Sequence, residues 1–181
     1  MKKGTIILLN GVSSSGKSTL SKQLTNLLPD FFHLSGDDYD LVIEKMEDRV
    51  NERLIPVPTE YFIHRTIAMF SDKGINLIVD QILHNDETFV DCLEVLHHYP
   101  VLFVGVHCPL DELSRREKER GDRKIGQAVF QLEYVHQQKE EYDIEVNTKV
   151  NTVEECAELI VKQLEKPMNG FSKTYSTHKN Q

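Results

Sequence analysis

The sequence predicts an α/β fold in which helices cover both faces of a five-stranded parallel sheet, giving three layers. Short apolar runs rich in β-branched residues alternate along the chain with segments whose apolar residues recur at helical spacing. A glycine-containing loop joins the first apolar run to the first helical segment. This alternation favours parallel pairing, because two parallel strands need a crossover connection and a helix usually supplies it.

Five runs are predicted as strands. Residues 5–9 read T-I-I-L-L, an apolar run long enough for one buried strand. The other predicted strands cover residues 31–35, 75–79, 101–107 and 142–146. Ligands of parallel α/β sheets bind beyond the carboxyl ends of the strands, so the residues that follow each run are the first candidates for a functional site.

The helical segments lie between these strands. Residues 19–28 place Leu20, Leu24 and Leu28 on one face. Residues 58–71 do the same with Ile63 and Ile67. The remaining predicted helices cover residues 38–46, 86–97, 110–120, 126–138 and 153–164.

Length predicts one domain, over residues 1–166. Residues 167–181 are polar and begin with Pro167, and Gly170 follows, so we expect a frayed or disordered tail. Twenty-nine acidic against 21 basic residues, a net charge of −8, argue against a nucleic-acid partner. No apolar run approaches 18 residues, which predicts no membrane span. Three cysteines without a C-x-x-C pair predict reduced thiols and a cytoplasmic protein.

Residues 11–18 read G-V-S-S-S-G-K-S and match the phosphate-binding pattern G-x-x-x-x-G-K-[ST] in full. The glycines let backbone N–H groups surround phosphate oxygens, the lysine reaches the β- and γ-phosphates, and the serine hydroxyl ligates Mg²⁺. The motif therefore predicts a bound nucleoside triphosphate with Mg²⁺. The predicted nucleotide-binding residues are Gly11, Val12, Ser13, Ser14, Ser15, Gly16, Lys17, Ser18 and Thr19, with Ser18 also as a metal ligand.

Carboxylates follow the second and third predicted strands. Asp37 is interpreted as the cap of the next helix, and Asp38 as the residue that orients or deprotonates a hydroxyl group. Asp80 ends the third strand, a position that suits a carboxylate beside a metal ion. Asp80 is therefore a candidate for holding Mg²⁺, and the choice between Asp38 and Asp80 as the base stays open.

Residues 115–128 are predicted to form a lid. Gly121 interrupts the charged helix there, which frees Arg120 and Arg123 to close on phosphates and shield the reaction from water. Arg115 and Arg116 lie earlier in the same segment, where charges alternate in sign, and are assigned mostly to the solvated surface.

With these residues placed, the chain resembles the chloramphenicol phosphotransferase family of P-loop kinases over about residues 4–165. The resemblance rests on the phosphate loop with its preceding strand, and on G-x-D at 36–38, I-V-D at 78–80, V-G-V-H-C at 104–108, R-G-D-R at 120–123 and E-Y-D-I-E-V-N-T at 141–148. It implies a three-layer P-loop kinase fold with an arginine-containing lid.

The same resemblance implies ATP-dependent phosphorylation of a small-molecule hydroxyl group, with antibiotic resistance as one biological setting. By the matched motifs, Lys17 anchors the γ-phosphate, Asp38 is the general base and Asp80 is an active-site carboxylate. Arg120 and Arg123 contact the transferring group from the lid. The segment between Asp38 and Asp80 is short and charged, so the acceptor is left open between chloramphenicol and a more polar, aminoglycoside-like or nucleoside-like molecule.

Two further hypotheses stand beside the small-molecule kinase. One is an ATP-binding regulatory or switch module that hydrolyses slowly and acts through a partner. The other keeps the kinase chemistry and changes the acceptor to a nucleotide, a sugar acid or adenylyl sulfate. The two classes differ in whether a phosphorylated small product is formed.

Overall fold

A computed structural model describes residues 2–121 and 125–180. Five parallel strands form one sheet in the order β2-β3-β1-β4-β5, which confirms the predicted fold class. The first strand lies in the middle, so the loop that follows it opens at the centre of the sheet's carboxyl edge. The strands are β1 (Ile6–Asn10), β2 (Phe31–Ser35), β3 (Asn76–Gln81), β4 (Val101–His107) and β5 (Ile144–Asn147).

Helices connect the strands and cover the sheet. They begin and end within a few residues of the predicted positions, apart from the shorter α6 and the additional α8. A 3-10 turn, Arg49–Asn51, lies between α2 and α3. The helices are α1 (Lys17–Leu27), α2 (Gly36–Glu44), α3 (Thr59–Asp72), α4 (Asp86–Leu96), α5 (Leu110–Arg120), α6 (Gln127–Leu132), α7 (Val153–Gln163) and α8 (Gly170–Lys179).

The described core has one large cluster on each face of the sheet and a smaller third one around Leu113 and Ala128. All of β1 is buried, and its alternate residues serve the two faces: Ile6 and Leu8 join the cluster under α3, α4 and α8, while Ile7 and Leu9 join the one under α1 and α7. Burial on both faces explains why the strand reads as a continuous apolar run. It also makes β1 a rigid support for the loop that follows it.

The C-terminal segment differs from the expected frayed tail, because residues 170–179 form α8. Phe171 is 2% exposed and packs edge-on against Phe103, with ring centroids 5.2 Å apart. Gly170 allows the helix to approach the loop before β5, where a Cβ on this residue would lie 2.2 Å from the carbonyl oxygen of Glu141. The segment reads as polar because only one side of a short helix is buried.

The predicted helix at 126–138 is also shorter in the structure, since α6 ends at Leu132. Beyond it the backbone turns, with His136 and Lys139 at φ 70° and 58°. This turn carries Tyr142 back into the core beside Phe103. In the described part of the chain, no helix has both the length and the hydropathy that crossing a membrane requires.

Candidate active site

A cleft of about 790 Å³ opens at the carboxyl edge of the sheet. The phosphate loop and the first turn of α1 form its floor. The beginnings of α2 and α3, together with the end of β3, form one wall, and α5 with α6 forms the other. The volume lies within the range of small-molecule sites in proteins.

The phosphate loop is held in a conformation that needs left-handed backbone. Ser14 and Gly16 have φ values of 61° and 97°. Lys17 is 8% exposed, and its Nζ donates to the carbonyl oxygens of Gly11 and Val12 at 2.7 and 2.9 Å. The side chain of Lys17 thus folds back over its own loop, and its ammonium group lies at the first two residues of that loop.

The side chains of Ser18 and Asp80, the two residues proposed from the sequence as metal ligands, are in contact. Ser18 Oγ donates to Asp80 Oδ2 at 2.8 Å, and His33 Nε2 lies 3.0 Å from the other carboxylate oxygen. Burial works to raise the pKa of Asp80. The hydrogen bonds from His33 and Ser18 and the charges of His33 and Lys17 outweigh it, so the pKa lies below its ordinary value. Asp80 is therefore ionised at neutral pH.

The acidic residues after β2 are arranged differently from the sequence-based assignment. Asp37 and Asp40 line the cleft and Asp38 does not, although all three side chains are exposed. The reason is helical geometry: these residues belong to the first turns of α2, where positions i and i+3 share a face and position i+1 is rotated by about 100°. Ser35, rather than Asp37, occupies the N-cap position of this helix.

The arginines of α5 also divide in an unexpected way. Arg120 lines the cleft as predicted, and Arg123 lies outside the described residues. Arg115 is a surface residue that bonds Glu112 and Glu119.

Arg116 is not a surface residue, although the alternating charges around it indicated one. Its guanidinium donates to the carbonyl oxygen of Ser14 at 3.3 Å, to Thr148 Oγ1 at 3.0 Å and to the Thr148 carbonyl oxygen at 3.0 Å. Thr148 in turn donates to the carbonyl oxygen of Ser15 at 2.7 Å. Arg116 therefore ties α5 and the end of β5 to the phosphate loop.

Two carboxylates of α5 are buried, and sequence reasoning missed both. Glu112 is 4% exposed; hydrogen bonds from Arg115, Lys149 and Arg116 hold its pKa well below its ordinary value. Glu117 is 1% exposed and accepts from the backbone N–H groups of Gly126 and Ala128, at 2.9 and 2.7 Å. Glu117 thus holds the start of α6 against α5. Glu112 and Glu117 are five residues apart, whereas residues on one helix face are three or four apart. The sequence pattern therefore did not separate them from the other charged residues of α5.

Gln131 is a further contact that the sequence did not indicate. Its Oε1 accepts from the backbone N–H of Ser13 at 2.7 Å, so α6 contacts the phosphate loop directly. A single glutamine in a short helix has no distinguishing pattern, so this contact could be found only in the structure.

A buried polar cluster supports the loop from behind. Asn10 Nδ2 donates to the Tyr142 hydroxyl at 2.9 Å, and that hydroxyl lies 2.7 Å from His136 Nδ1. Asn10 Oδ1 also accepts from the Leu83 N–H at 3.2 Å. Burial, followed by the charge of neighbouring His107, lowers the pKa of His136 to about 3. The imidazole is therefore neutral at physiological pH and can accept a hydrogen bond from the Tyr142 hydroxyl group.

Taken together, the cleft contains loop N–H groups, Lys17 and arginines that suit a polyphosphate, and hard oxygen ligands at Ser18 and Asp80 that suit Mg²⁺. Beyond them, Asp37 and Asp40 face the same space. The arrangement can hold a nucleotide beside a second molecule.

Comparisons with known proteins agree with this geometry. A family model described as chloramphenicol phosphotransferase-like protein matches residues 4–165. A protein of Mycobacterium tuberculosis named “Putative O-phosphotransferase” is 31% identical in an alignment 182 residues long, which covers 87% of this chain and 80% of the relative.

Two solved structures illustrate the likeness in fold. The adenylyl sulfate (APS) kinase CysC of Mycobacterium tuberculosis, in complex with AMPPNP and APS, aligns with a TM-score of 0.66 and 17% identity, covering 92% of this chain and 100% of that chain. The tunicamycin resistance protein of Deinococcus radiodurans aligns with a TM-score of 0.69 and 17% identity, covering 92% and 98%. At this identity the two structures establish the fold alone.

Proposed function

This chain belongs to the chloramphenicol phosphotransferase-like family, and we propose that it transfers the γ-phosphoryl group of ATP to a hydroxyl group of a small molecule, with Mg²⁺. The observation that carries the proposal is the continuity of one cleft from the phosphate loop, past the Ser18–Asp80 pair, to the carboxylate of Asp37. We therefore propose that nucleotide, metal ion and acceptor share this one cleft, since phosphoryl transfer requires them to lie close together.

The residues present fit a magnesium ion. Ser18 Oγ and Asp80 Oδ2 are hard oxygen ligands 2.8 Å apart, and Asp80 is held in its ionised form. Among the described residues, no group of three or more histidine, cysteine or acidic side chains converges as a full metal cage. Mg²⁺ needs no such cage, because phosphate oxygens and water complete its shell. When bound, the ion neutralises charge on the β- and γ-phosphates.

Lys17 and the loop amides act on the nucleotide. In the structure the ammonium group of Lys17 is bonded to two carbonyl oxygens of its own loop. A phosphate oxygen offers a full negative charge in place of a carbonyl dipole, so the bound polyphosphate draws Nζ toward the γ-phosphate. Arg120 adds a second cation from α5, and Arg123 is proposed to join it on the basis of the sequence alone.

We assign the acceptor-orienting role to Asp37 rather than Asp38. Asp37 lines the cleft and Asp38 does not. The carboxylate of Asp37 accepts the hydroxyl proton of the acceptor, which points the oxygen at the γ-phosphorus and receives the proton as transfer completes. Ser18 and His33 bond to the two oxygens of Asp80, so we propose that Asp80 holds the metal ion rather than acting as the base.

Product detection tests this proposal. The protein with Mg²⁺ and ATP labelled with ¹⁸O in the γ-phosphate is incubated with a panel of hydroxylated antibiotics and metabolites, including chloramphenicol, and analysed by mass spectrometry. We expect one labelled phosphoryl group on a panel member, and none with the Lys17→Ala variant. ATP consumption by a protein that leaves every panel member unmodified would favour the regulatory module instead. We also propose a cytoplasmic location, which three free cysteines favour.

A further inference from the structure

The acceptor half of the cleft presents hydrogen-bond acceptors, and we propose that the acceptor molecule is an amino-polyol, with hydroxyl groups and at least one ammonium group. The inference rests on the proposed phosphoryl transfer and deepens it by naming the substrate class. The lining residues that carry it are Asp40, Thr59, Glu60 and Gln81. None of the lining residues from α2, α3 or the segment 80–84 is a lysine or an arginine.

Two carboxylates of this half have no task in the transfer step. Asp40 and Glu60 face the cleft from α2 and α3, and the Thr59 hydroxyl bonds to Asp40. Partial burial raises the pKa of Asp40, and the charges of Glu60, Asp37 and Glu44 raise it further, against the Thr59 bond that lowers it. The carboxylates therefore repel one another in the free protein. A cationic group between them relieves that repulsion.

Asp40 and Glu60 do not converge with a third potential ligand: within residues 2–121 and 125–180, no group of three or more such side chains lies closely enough together to hold a metal ion by itself. Asp40 and Glu60 lie on different helices along one wall of the cleft. This arrangement suits a ligand whose hydrogen-bond donors are also spread out, such as a ring bearing several amino and hydroxyl groups.

Gln81 supplies an independent observation. The residue lines the cleft and is 4% exposed. Its amide nitrogen lies 2.7 Å from His64 Nε2, whereas its amide oxygen is buried and has no donor among the described residues. A buried acceptor without a donor is unfavourable, so a ligand group that donates to this oxygen is stabilised.

The orientation of the Gln81 amide follows from residues behind it. His64 is fully buried, and its Nδ1 lies 2.7 Å from Asp91 Oδ2. Arg65 donates to both oxygens of Asp91, at 2.9 and 2.8 Å, which keeps this carboxylate ionised and able only to accept. His64 Nδ1 therefore donates to Asp91. The Gln81 amide turns its nitrogen toward Nε2, the other nitrogen of the ring, at 2.7 Å.

His64 thus engages the amide nitrogen of Gln81, and the amide oxygen is the group left without a donor. Together with Asp40 and Glu60, Gln81 makes this wall rich in hydrogen-bond acceptors, and His84 lies beside Glu60 with its Nδ1 3.7 Å from Oε1. Hydroxyl groups match the acceptors, and ammonium groups match both the acceptors and the charge.

Equilibrium binding of a matched probe pair tests the inference. The probes are 2-deoxystreptamine, a diamino cyclitol, and its di-N-acetyl derivative, which keeps the ring hydroxyls and loses both charges. Binding is measured by NMR titration in the presence of Mg²⁺ and AMPPNP. We expect the diamine to bind at least tenfold more tightly, with a preference that weakens as salt is raised.

The double variant Asp40→Asn/Glu60→Gln is expected to lose this preference. Its matched control is Glu158→Gln/Glu165→Gln, which removes the same charge from exposed positions that do not line the cleft and should keep the preference. Thermal melting verifies that each variant is folded, and the single variants Asp40→Asn and Glu60→Gln replace the double variant if it is not.

The result separates this inference from the proposed function. Equal affinity for the two probes, no binding of either, or a preference that survives in the double variant would overturn the amino-polyol assignment. Transfer is measured separately on the product panel. A protein that keeps the amine preference but phosphorylates no panel member would contradict the proposed function and not the binding preference.

Discussion

Ser18 and Asp80 are 62 positions apart in the chain, and their side chains meet at 2.8 Å between Oγ and Oδ2. The contact joins the first turn of α1 to the end of β3, the strand that pairs directly with β1. The register that places Leu9 beside Asp80 is what makes the contact possible. Strand pairing therefore builds the corner that we propose as the metal site.

We expect Asp80→Asn to remove most of the Mg²⁺-dependent turnover, because a neutral amide no longer holds the ion beside the phosphates. Loss of one electrostatic contact of this kind costs about 10²- to 10³-fold in kcat. Steady-state kinetics with varied Mg²⁺ measure it, and Asp72→Asn, an exposed carboxylate at the end of α3, is the matched control. Wild-type turnover in Asp80→Asn would contradict the assignment.

Neighbouring aspartates provide a sharp test of the base. Asp37→Asn should lower kcat by about 10²-fold or more with little change in ATP affinity, since it removes the group that receives the hydroxyl proton. Asp38→Asn makes the same substitution at the next residue, which does not line the cleft. This variant should retain kcat within about threefold. Steady-state kinetics of the two variants are compared, with the panel compound that the wild-type protein phosphorylates as substrate. The opposite order of effects would restore Asp38 as the base.

Glu117 is expected to stabilise the junction of α5 and α6. Its replacement by glutamine leaves an NH₂ group against backbone donors, so Glu117→Gln should lower the free energy of unfolding by about 1–3 kcal/mol. Urea denaturation measures this. Glu119→Gln, at an exposed position two residues later, serves as the control and should change stability by less than about 0.5 kcal/mol. Equal effects would mean that the buried contacts contribute nothing.

His136 should make stability depend on pH. Its pKa is about 3 in the folded protein and ordinary, near 6.5, in the unfolded chain. The unfolded chain therefore binds the extra proton between these values, and stability falls as pH is lowered from 6.5 toward 4.5, by about 1–2 kcal/mol. His136→Asn accommodates the positive φ and should flatten this slope in urea titrations across that window. An unchanged slope would assign the pH dependence to other groups.

Phe171 tests whether α8 is part of the core. Phe171→Ala should cost about 3–5 kcal/mol, the range for a buried phenylalanine, because the cavity would lie against Phe103. Phe32→Ala, at a ring that is 61% exposed, should cost much less. Thermal or urea unfolding measures both. Two equally small effects would indicate that the domain ends before α8.

Local pattern determined much of this protein. The phosphate loop is one contiguous motif, and β1 reads as a strand because burial on both faces requires an unbroken apolar run. Asp80 was recognisable because it ends such a strand. These features depend on residues that are close in the sequence, so the sequence alone indicated the sheet, the nucleotide loop and the family.

The tertiary structure decided what depends on direction and on distant contacts. Asp37 and Asp38 are the same residue type at adjacent positions. Only the orientation of α2 places Asp37, and not Asp38, in the lining of the cleft. Arg116 meets Ser14 across 102 residues, and Phe171 is buried by strands that precede it by more than 60. Contacts between residues far apart in the chain involve only a few side chains, and those side chains show no periodic pattern in the sequence. The strands and the loop could therefore be predicted from the sequence, while the positions of Asp37 and Asp38 relative to the cleft, the contacts of Arg116 and the C-terminal helix could not.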